Sequence, residues 1–334
     1  MYKKTKKRRS GVPQYTEPHI LLAGGARSLD ALVPGFTAEL ERRGGLRYDP
    51  GKGFQVFDFG APFPRGFKTG VEVLSASRRL INETLQDLVT AQGGDRLTIK
   101  DKTKVTGLLF DGGGDARSPR VVGVSIDEAL GTTSPTADIV FMVNGRRSQL
   151  PQWLKVAGIA APTQVKVDCK MNYASRWMKL PPGFDPDQLF YACVANGRPN
   201  LPRGGIALVL EHGVVQFSMT GFEGDRAPLD HGGWMEYAKS LPDRALYDLA
   251  ARCEPMGPIT RFASAPNASY QYHTISKKLP KGLIIMGDAA VALNPVYGQG
   301  MTVVRLIFWF FVVIKKNYFS SPLEKYTCSG VAVG

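Results

Sequence analysis

One twenty-residue segment near the carboxyl end constrains the fold of this chain more than any other feature. Residues 282–301 read GLIIMGDAAVALNPVYGQGM: an apolar run, an Asp directly after it, a loop with a proline, and two glycines that flank a glutamine. The apolar run predicts a buried strand, and a helix is expected to follow Gly300. Ligands of α/β proteins bind at the carboxyl ends of such strands, so the segment predicts a ligand site at Asp288.

The residue types in this segment suit a dinucleotide ligand. The Asp288 carboxylate can accept hydrogen bonds from ribitol or ribose hydroxyls. Gly298 and Gly300 have no side chains, so their backbone N–H groups can approach a planar ring or a phosphate closely. The plain alternative is a strand-to-helix turn in which the glycines serve the turn and the Asp is a cap. The order of all twenty residues favours the ligand site.

The segment resembles the Gly-Asp motif of FAD-dependent monooxygenases of the para-hydroxybenzoate hydroxylase type, where similar sequences run Gly-Asp-Ala, Pro, Gly-Gln-Gly-Met. The resemblance implies an FAD cofactor whose ribityl chain contacts Asp288 and whose isoalloxazine ring lies against the loop after the proline. One departure is Val291, where many members have His. The FAD contacts implied here are Gly287, Asp288, Pro295, Gly298, Gln299, Gly300 and Met301.

A second segment extends the resemblance. Ser77-Arg78-Arg79-Leu80 opens an amphipathic helix, and the family places an Arg at such a position to reach the FAD pyrophosphate. We assign this role to Arg78 rather than Arg79. A guanidinium suits it because its fork can bind phosphate oxygens at two points. The plain alternative for Arg78 is an exposed cation at a helix end.

A third segment, DIVFMVNGRRSQLPQWLKVAG at 138–158, resembles the part of the family that closes the flavin domain with a strand, an Asp, a Gly and an Arg. It implies Gly145 and Arg146 as FAD contacts. Met142 and Asn144 stand where acidic residues are common, and Asn144 is also typical of a plain turn. The residue pattern predicts an apolar strand at 138–143 and, after the residues 144–148, a helix at 150–157.

Both ends of the chain depart from the family pattern. A member begins with a strand, a G-x-G-x-x-G turn and a helix, but the resemblance here begins at Val12, and Gly24-Gly25-Ala26 lacks the required spacing. We therefore expect that the first βαβ unit is missing. After Thr302 the family continues with small residues, whereas 303–314 read VVRLIFWFFVVI. This run is shorter than the ~20 apolar residues of a membrane span and contains Arg305. We expect a buried helix or a departure from the true reading frame, with peripheral membrane contact left open.

The expected fold class is α/β: a FAD/NAD(P)-binding Rossmann-like domain that lacks its first βαβ unit, with an inserted, mainly antiparallel β-sheet domain on the substrate side. Alternating apolar runs between turn residues at 163–225 predict the antiparallel sheet, and 233–251 predict one helix. The expected domains are a basic disordered tail at 1–11, a discontinuous FAD-binding domain at 12–158 and 271–302, the substrate-side sheet at 159–270, and an atypical hydrophobic segment at 303–334.

Composition restricts the other classes of function. The net charge of +13 reflects 42 Lys and Arg against 29 Asp and Glu, and six of these cations lie in the first nine residues. No recognition module accompanies this basic tail, so no nucleic-acid partner is expected. The four cysteines have no paired spacing, which argues against a metal site and against disulfides, and no secretory signal is apparent. We expect an intracellular, cytoplasmic protein, and the oligomeric state stays open.

The resemblance implies a monooxygenase that uses NAD(P)H and oxygen to hydroxylate an aromatic or isoprenoid-like small molecule, with FAD supplying the chemistry. Catalytic side chains stay unassigned, because Tyr173, Arg176, Tyr191 and His231 are equally compatible with packing or surface positions. Two alternatives remain. One is a flavin-dependent reductase of the geranylgeranyl reductase kind, and the other is a non-catalytic remnant or incomplete gene model that does not bind FAD.

Overall fold

The structure is a computed structural model that describes residues 17–100, 102–111, 119–127, 134–186, 189–195, 201–263 and 266–303. The predicted basic tail at 1–11 lies outside the described residues. The same holds for the hydrophobic segment at 303–334, apart from its first residue.

The described residues form short strands and helices. In chain order the strands are β1 (Ile20–Leu21), β2 (Leu46–Tyr48), β3 (Phe54–Asp58), β4 (Ala61–Pro62), β5 (Val73–Ser75), β6 (Val105–Phe110), β7 (Val121–Ile126), β8 (Val140–Met142), β9 (Gln164–Val167), β10 (Asn172–Lys179), β11 (Tyr191–Val194), β12 (Arg203–Leu210), β13 (Val214–Gly221), β14 (Glu254–Pro255), β15 (Thr260–Ala263), β16 (Asn267–Tyr270), β17 (Leu283–Ile285) and β18 (Val291–Ala292). The α-helices are α1 (Ala23–Leu32), α2 (Phe36–Arg42), α3 (Pro50–Gly53), α4 (Arg78–Gly93), α5 (Leu150–Val156), α6 (His231–Lys239) and α7 (Ala245–Ala251).

The chain divides into two compact units. The first contains residues 17–88 and 168–266, and the second contains 89–167 and 267–303. The predicted cofactor domain at 12–158 and 271–302 does not follow this division, because residues 17–88 group with the later antiparallel sheet. The functional division into cofactor and substrate domains stays a prediction.

The first unit is built on an eight-stranded sheet with the order β14-β10-β13-β12-β11-β3-β4, in which β15 also pairs with β10. The long strands β10, β12 and β13 pair antiparallel, which confirms the mainly antiparallel sheet predicted from the sequence. Every residue of β13 is buried. The strand β3 comes from the early part of the chain and pairs parallel with β11.

Helices α6 and α7 share one hydrophobic core with this sheet. Trp234 of α6 is fully buried, donates its indole N–H to the Ala174 carbonyl at 3.0 Å, and packs edge-on against Phe217. The prediction of one helix over 233–251 is wrong, since α6 ends before Ser240 and α7 begins at Ala245. Pro242 lies between them, and proline cannot donate an intrahelical hydrogen bond.

A three-stranded antiparallel sheet with the order β1-β5-β2 completes the first unit, and α4 begins just after β5. The Ser77 hydroxyl accepts a hydrogen bond from the Leu80 N–H at 3.1 Å. Ser77 therefore caps the start of α4 by satisfying one of its open backbone donors.

The second unit contains three small sheets. β8 and β17 pair parallel, β6 and β7 form an antiparallel pair, and β18-β16-β9 form an antiparallel sheet. Helix α5 follows β8, and its buried Leu150 and Leu154 share a core with Val140 and Met142 of that strand. The strand and helix predicted for 138–158 are both present.

We expect Trp234→Ala to lower the free energy of unfolding by about 3–5 kcal/mol, because it removes a fully buried aromatic ring and leaves a cavity. Urea denaturation followed by circular dichroism measures this loss. Val156→Ala is the control, since Val156 is 79% exposed, and it should change stability by less than about 0.5 kcal/mol. Equal effects of the two substitutions would contradict the central place of Trp234 in the core.

Candidate functional site

The Gly287-Asp288 pair lies at the carboxyl end of β17. In the parallel register, Leu283 is opposite Val140 and Ile285 is opposite Met142, and the Met286 N–H then donates to the Met142 carbonyl at 3.0 Å. Gly287 has φ of +61°, which favours glycine, and the chain turns there into a 3₁₀ turn that contains Asp288. The strand thus ends where the sequence predicts, and Asp288 is half-buried just beyond it.

Beside this turn lies a small cavity of about 60 Å³. Three of the predicted site residues line it together, namely Gly287, Asp288 and Gly300. The volume is far below the roughly 300–1,000 Å³ of a pocket that encloses a drug-sized ligand. The cavity can therefore accept part of a ligand, while the rest would lie on the neighbouring loop.

That loop is fixed by two asparagines. The Asn294 N–H donates to the Asn267 side-chain oxygen at 2.8 Å, and the Asn294 side-chain oxygen accepts from the Val296 N–H at 3.0 Å. Asn294 is only 3% exposed. Sequence reasoning missed both residues, although Asn before Pro295 is a known signal for a side-chain-closed turn.

The glycine-rich part of the loop is accessible. Gly298 has φ of +63°, and a Cβ atom at either Gly298 or Gly300 would meet nothing within 4 Å. A helix begins at Gly300, where the Val303 N–H donates to the Gln299 carbonyl. Of the other predicted contacts, Gln299 is exposed, while Pro295 and Met301 are half-buried.

Arg146 connects the 138–158 segment to the same loop. Gly145 has φ of +81° in the turn after β8, and the Arg146 guanidinium donates to the Leu293 carbonyl at 2.7 Å. Gly145 and Arg146 are thus brought to the predicted site, and Arg146 holds the loop through its backbone. Their direct contact with FAD stays a prediction.

Arg78 belongs to the first compact unit, where it is half-buried at the first residue of α4. Burial and the positive charge of Arg78 together lower the pKa of the nearby His19 to about 4. The carboxylate of Glu211, itself 3% exposed, accepts a hydrogen bond from the Ser77 N–H at 2.8 Å. These contacts fix the start of α4, and the pyrophosphate role of Arg78 stays a prediction.

The four side chains that the sequence left without a catalytic role all have local contacts in the first unit. The Tyr173 hydroxyl donates to the Met171 sulfur at 3.1 Å, and a nitrogen of Arg176 lies 2.8 Å from Nδ1 of His231. Burial raises the pKa of Tyr191. None of these observations selects one of the four as an acid or base.

Comparison with known proteins extends this description. No known family profile matches the chain. It is 26% identical over 312 residues to Protein Rv3254 of Mycobacterium tuberculosis. The aligned region covers 89% of this chain and 62% of that protein. The chain thus spans less than two thirds of this relative's length.

Solved structures of flavin-dependent enzymes have the same fold. PqsL, a probable FAD-dependent monooxygenase from Pseudomonas aeruginosa, superposes with a TM-score of 0.68 at 13% identity, over 95% of this chain and 80% of its own. The flavin-dependent brominase Bmp2 gives 0.63 at 12% identity, over 88% and 67%. The tetrameric form of 2-methyl-3-hydroxypyridine-5-carboxylic acid oxygenase gives 0.59 at 14% identity, over 91% and 72%. The predicted resemblance and the α/β fold class are confirmed at the level of fold, whereas the missing first βαβ unit stays an expectation.

Arg146→Ala should loosen the loop that carries the glycines, because it removes a charged donor from the Leu293 carbonyl. We expect amide hydrogen exchange in peptides covering 291–298 to accelerate about tenfold, as for the loss of one charge-assisted hydrogen bond. Mass spectrometry measures this rate. Arg147→Ala, at the exposed neighbouring residue, should leave it unchanged, and an equal acceleration in both variants would contradict the role of Arg146.

The lowered pKa of His19 leads us to expect a specific pH dependence of stability. Its pKa falls from 6.5 in the unfolded chain to about 4 in the folded one, so between these pH values the unfolded state binds more protons. Stability is therefore lost as the pH drops through this window. The loss should be about 3 kcal/mol smaller in His19→Gln than in the wild type. Urea denaturation at several pH values measures the free energy of unfolding of both proteins. The same dependence of this free energy on pH in His19→Gln and in the wild type would contradict the expectation.

Proposed function

We propose that the chain is a FAD-binding oxidoreductase of the monooxygenase type, which uses NAD(P)H and oxygen to hydroxylate an aromatic or isoprenoid-like small molecule. The observation that carries the proposal is the coincidence of fold and motif. The chain shares the fold of PqsL over 95% of its length, and its Gly-Asp turn and glycine loop lie together at the carboxyl end of a parallel strand. Fold alone does not imply function, so we base the proposal mainly on the residues of the site.

The residues at the site fit FAD. Asp288 is half-buried at the end of β17, where its carboxylate can accept hydrogen bonds from ribityl hydroxyls. The open space beside Gly298 and Gly300 lets a planar ring approach their backbone. We assign Gly287, Pro295, Gln299 and Met301 to the same contact surface. As the resemblance implies, we keep Gly145 and Arg146 as FAD contacts and Arg78 as the residue for the pyrophosphate.

When bound, FAD supplies the redox chemistry, with NAD(P)H as reductant. The residues of the chain would bind the cofactor and orient it. Arg146 and Asn294 hold the glycine loop in one conformation. The loop would therefore lose little conformational entropy when FAD binds. Asp288 would hold the ribityl chain through hydrogen bonds to its carboxylate. No residue of the chain is assigned to proton transfer.

We also infer a location in a reducing compartment. The four cysteines are far apart in the sequence with no paired spacing, as is usual for cytoplasmic proteins. Within the described residues, no helix combines the length and the apolarity that crossing a membrane requires. We infer a cytoplasmic protein that acts on a small molecule.

Flavin retention tests the proposal. The purified full chain, incubated with FAD and desalted, should keep a stoichiometric flavin absorbance band. Asp288→Ala should weaken FAD binding about 10- to 100-fold, because it leaves ribityl hydroxyls without an acceptor, and Asp288→Asn should lie between, since it keeps a carbonyl oxygen. Asp248→Ala, at an exposed residue of α7 that pairs with Arg244, is the matched control and should bind FAD like the wild type.

The outcomes separate the alternatives. A folded wild-type chain that keeps no flavin would contradict the proposal and favour the non-catalytic alternative. Retained flavin with NAD(P)H-dependent oxygen consumption and a hydroxylated product supports a monooxygenase. Retained flavin that reduces an isoprenoid double bond without consuming oxygen supports the reductase of the geranylgeranyl reductase kind instead.

A further inference from the structure

His19 is a half-buried histidine directly before β1, and its contacts fix which of its two ring nitrogens carries the hydrogen. Nδ1 lies 2.6 Å from the Glu17 carbonyl oxygen. A carbonyl oxygen can only accept a hydrogen bond, so Nδ1 carries a hydrogen and donates it. Burial and the positive charge of Arg78 lower the pKa of the ring to about 4, so the ring is neutral at physiological pH. His19 therefore has a lone pair on Nε2.

The carbonyl that orients His19 belongs to a residue that is itself held in place. The Glu17 carboxylate is only 6% exposed and accepts a hydrogen bond from the Ser175 hydroxyl. The Ser175 oxygen lies 2.7 Å from the Ser218 oxygen, and Ser218 donates here because the hydrogen of Ser175 points to Glu17. The two serines are opposite each other on β10 and β13. Pro18 stiffens the backbone between Glu17 and His19. The ring is thus tied to the long strands of the sheet.

The second ring nitrogen has no comparable role in the fold. Among the described residues, Nε2 of His19 has no hydrogen-bond partner, and it is not sealed inside the protein. The hydrogen bond at Nδ1 fixes the tautomer, so Nε2 is presented as an acceptor for an O–H or N–H group of a ligand. The plain alternative is a histidine whose Nε2 meets only water.

The neighbouring arginine indicates the kind of ligand. β1 pairs with β5, with Ile20 opposite Ser75, and Arg78 begins α4 three residues after Ser75. A guanidinium only donates hydrogen bonds, whereas Nε2 of the neutral His19 only accepts them. Together they suit a ligand that has an anionic oxygen and a hydroxyl close to each other. A dinucleotide joined through a diphosphate has both, because its ribose and ribityl hydroxyls lie within a few bonds of the phosphates.

We propose that His19 is a further FAD-binding residue, whose Nε2 accepts a hydrogen bond from a hydroxyl beside the diphosphate that Arg78 binds. This inference rests on the proposed function, because it takes the pyrophosphate role of Arg78 as given. It adds a residue that lies outside the three segments in which the sequence predicts FAD contacts. His19 binds and orients in this role, and no proton is transferred.

Nitrogen-15 NMR of the full chain tests both the tautomer and the contact. The chain has four histidines, so few rings contribute to long-range proton–nitrogen spectra, and the signals lost in His19→Asn assign His19. At neutral pH the free chain should show a hydrogen on Nδ1 of His19 and none on Nε2. Saturating FAD should move the Nε2 resonance upfield, as the acceptance of a hydrogen bond does. The resonances of His273, which is exposed, should not move.

Two substitutions of His19 separate the roles of its nitrogens. Asn keeps an N–H near the position of Nδ1 for the Glu17 carbonyl but has no acceptor at the position of Nε2, whereas the longer Gln places an oxygen there. His19→Asn should weaken FAD binding about 2- to 10-fold, as for the loss of one hydrogen bond. His19→Gln should bind FAD more tightly than His19→Asn, and the control His273→Asn should bind it like the wild type. Fluorescence titration measures these affinities.

The same titration with ADP shows which hydroxyl is bound, since ADP keeps the ribose and has no ribityl chain. Weaker ADP binding by His19→Asn assigns the ribose, and a loss confined to FAD assigns the ribityl chain.

The outcomes separate this inference from the proposed function. A folded wild-type chain that retains no flavin would contradict the proposed function and this inference with it. Retained flavin with a hydrogen on Nε2 of His19, with an Nε2 resonance that FAD does not move, or with equal affinity in His19→Asn and the wild type would overturn the role of His19 alone. If His19→Asn does not fold, the wild-type spectra decide.

Discussion

The parallel pairing of β8 with β17 is the constraint on which the candidate site depends. Two three-residue strands from distant parts of the chain lie side by side, and the Met286 N–H extends the pairing by one further hydrogen bond to Met142. Because parallel strands end at the same edge, the turn at Gly145 and the turn at Gly287 are placed next to each other. Arg146 then reaches the Leu293 carbonyl, so the loop that follows β18 is held by a residue of the neighbouring strand's turn.

Local features of the site could be predicted from the sequence, because local chemistry determines them. An apolar run followed by Gly287 ends a strand, and Ser77 ahead of Arg78 caps a helix, as its hydrogen bond to the Leu80 N–H shows. Pro242 is also a local signal for a helix end. The single helix expected over 233–251 did not take it into account, and the structure separates α6 from α7 there. These elements depend on residues within a few positions of one another.

Contacts between distant segments could not be predicted in the same way. Nothing near β3 indicates that it pairs parallel with β11, because strand partners depend on packing across the whole sheet. The Arg146 hydrogen bond joins a side chain to a backbone carbonyl, and any residue type offers that acceptor. The hydrogen bond between Asn294 and Asn267 likewise forms only when β16 and the loop that follows β18 are adjacent. Local turns such as those at Gly145 and Gly287 could therefore be predicted better than the contacts between distant segments that hold them.

We propose that the edge formed by the turns after β8 and β17 binds FAD. Amide hydrogen exchange of the full chain with and without saturating FAD measures this most directly. We predict that FAD slows exchange in peptides covering 287–301 and 144–148, with little change in helices α6 and α7. Bound flavin that leaves 287–301 unprotected and protects other segments instead would contradict it.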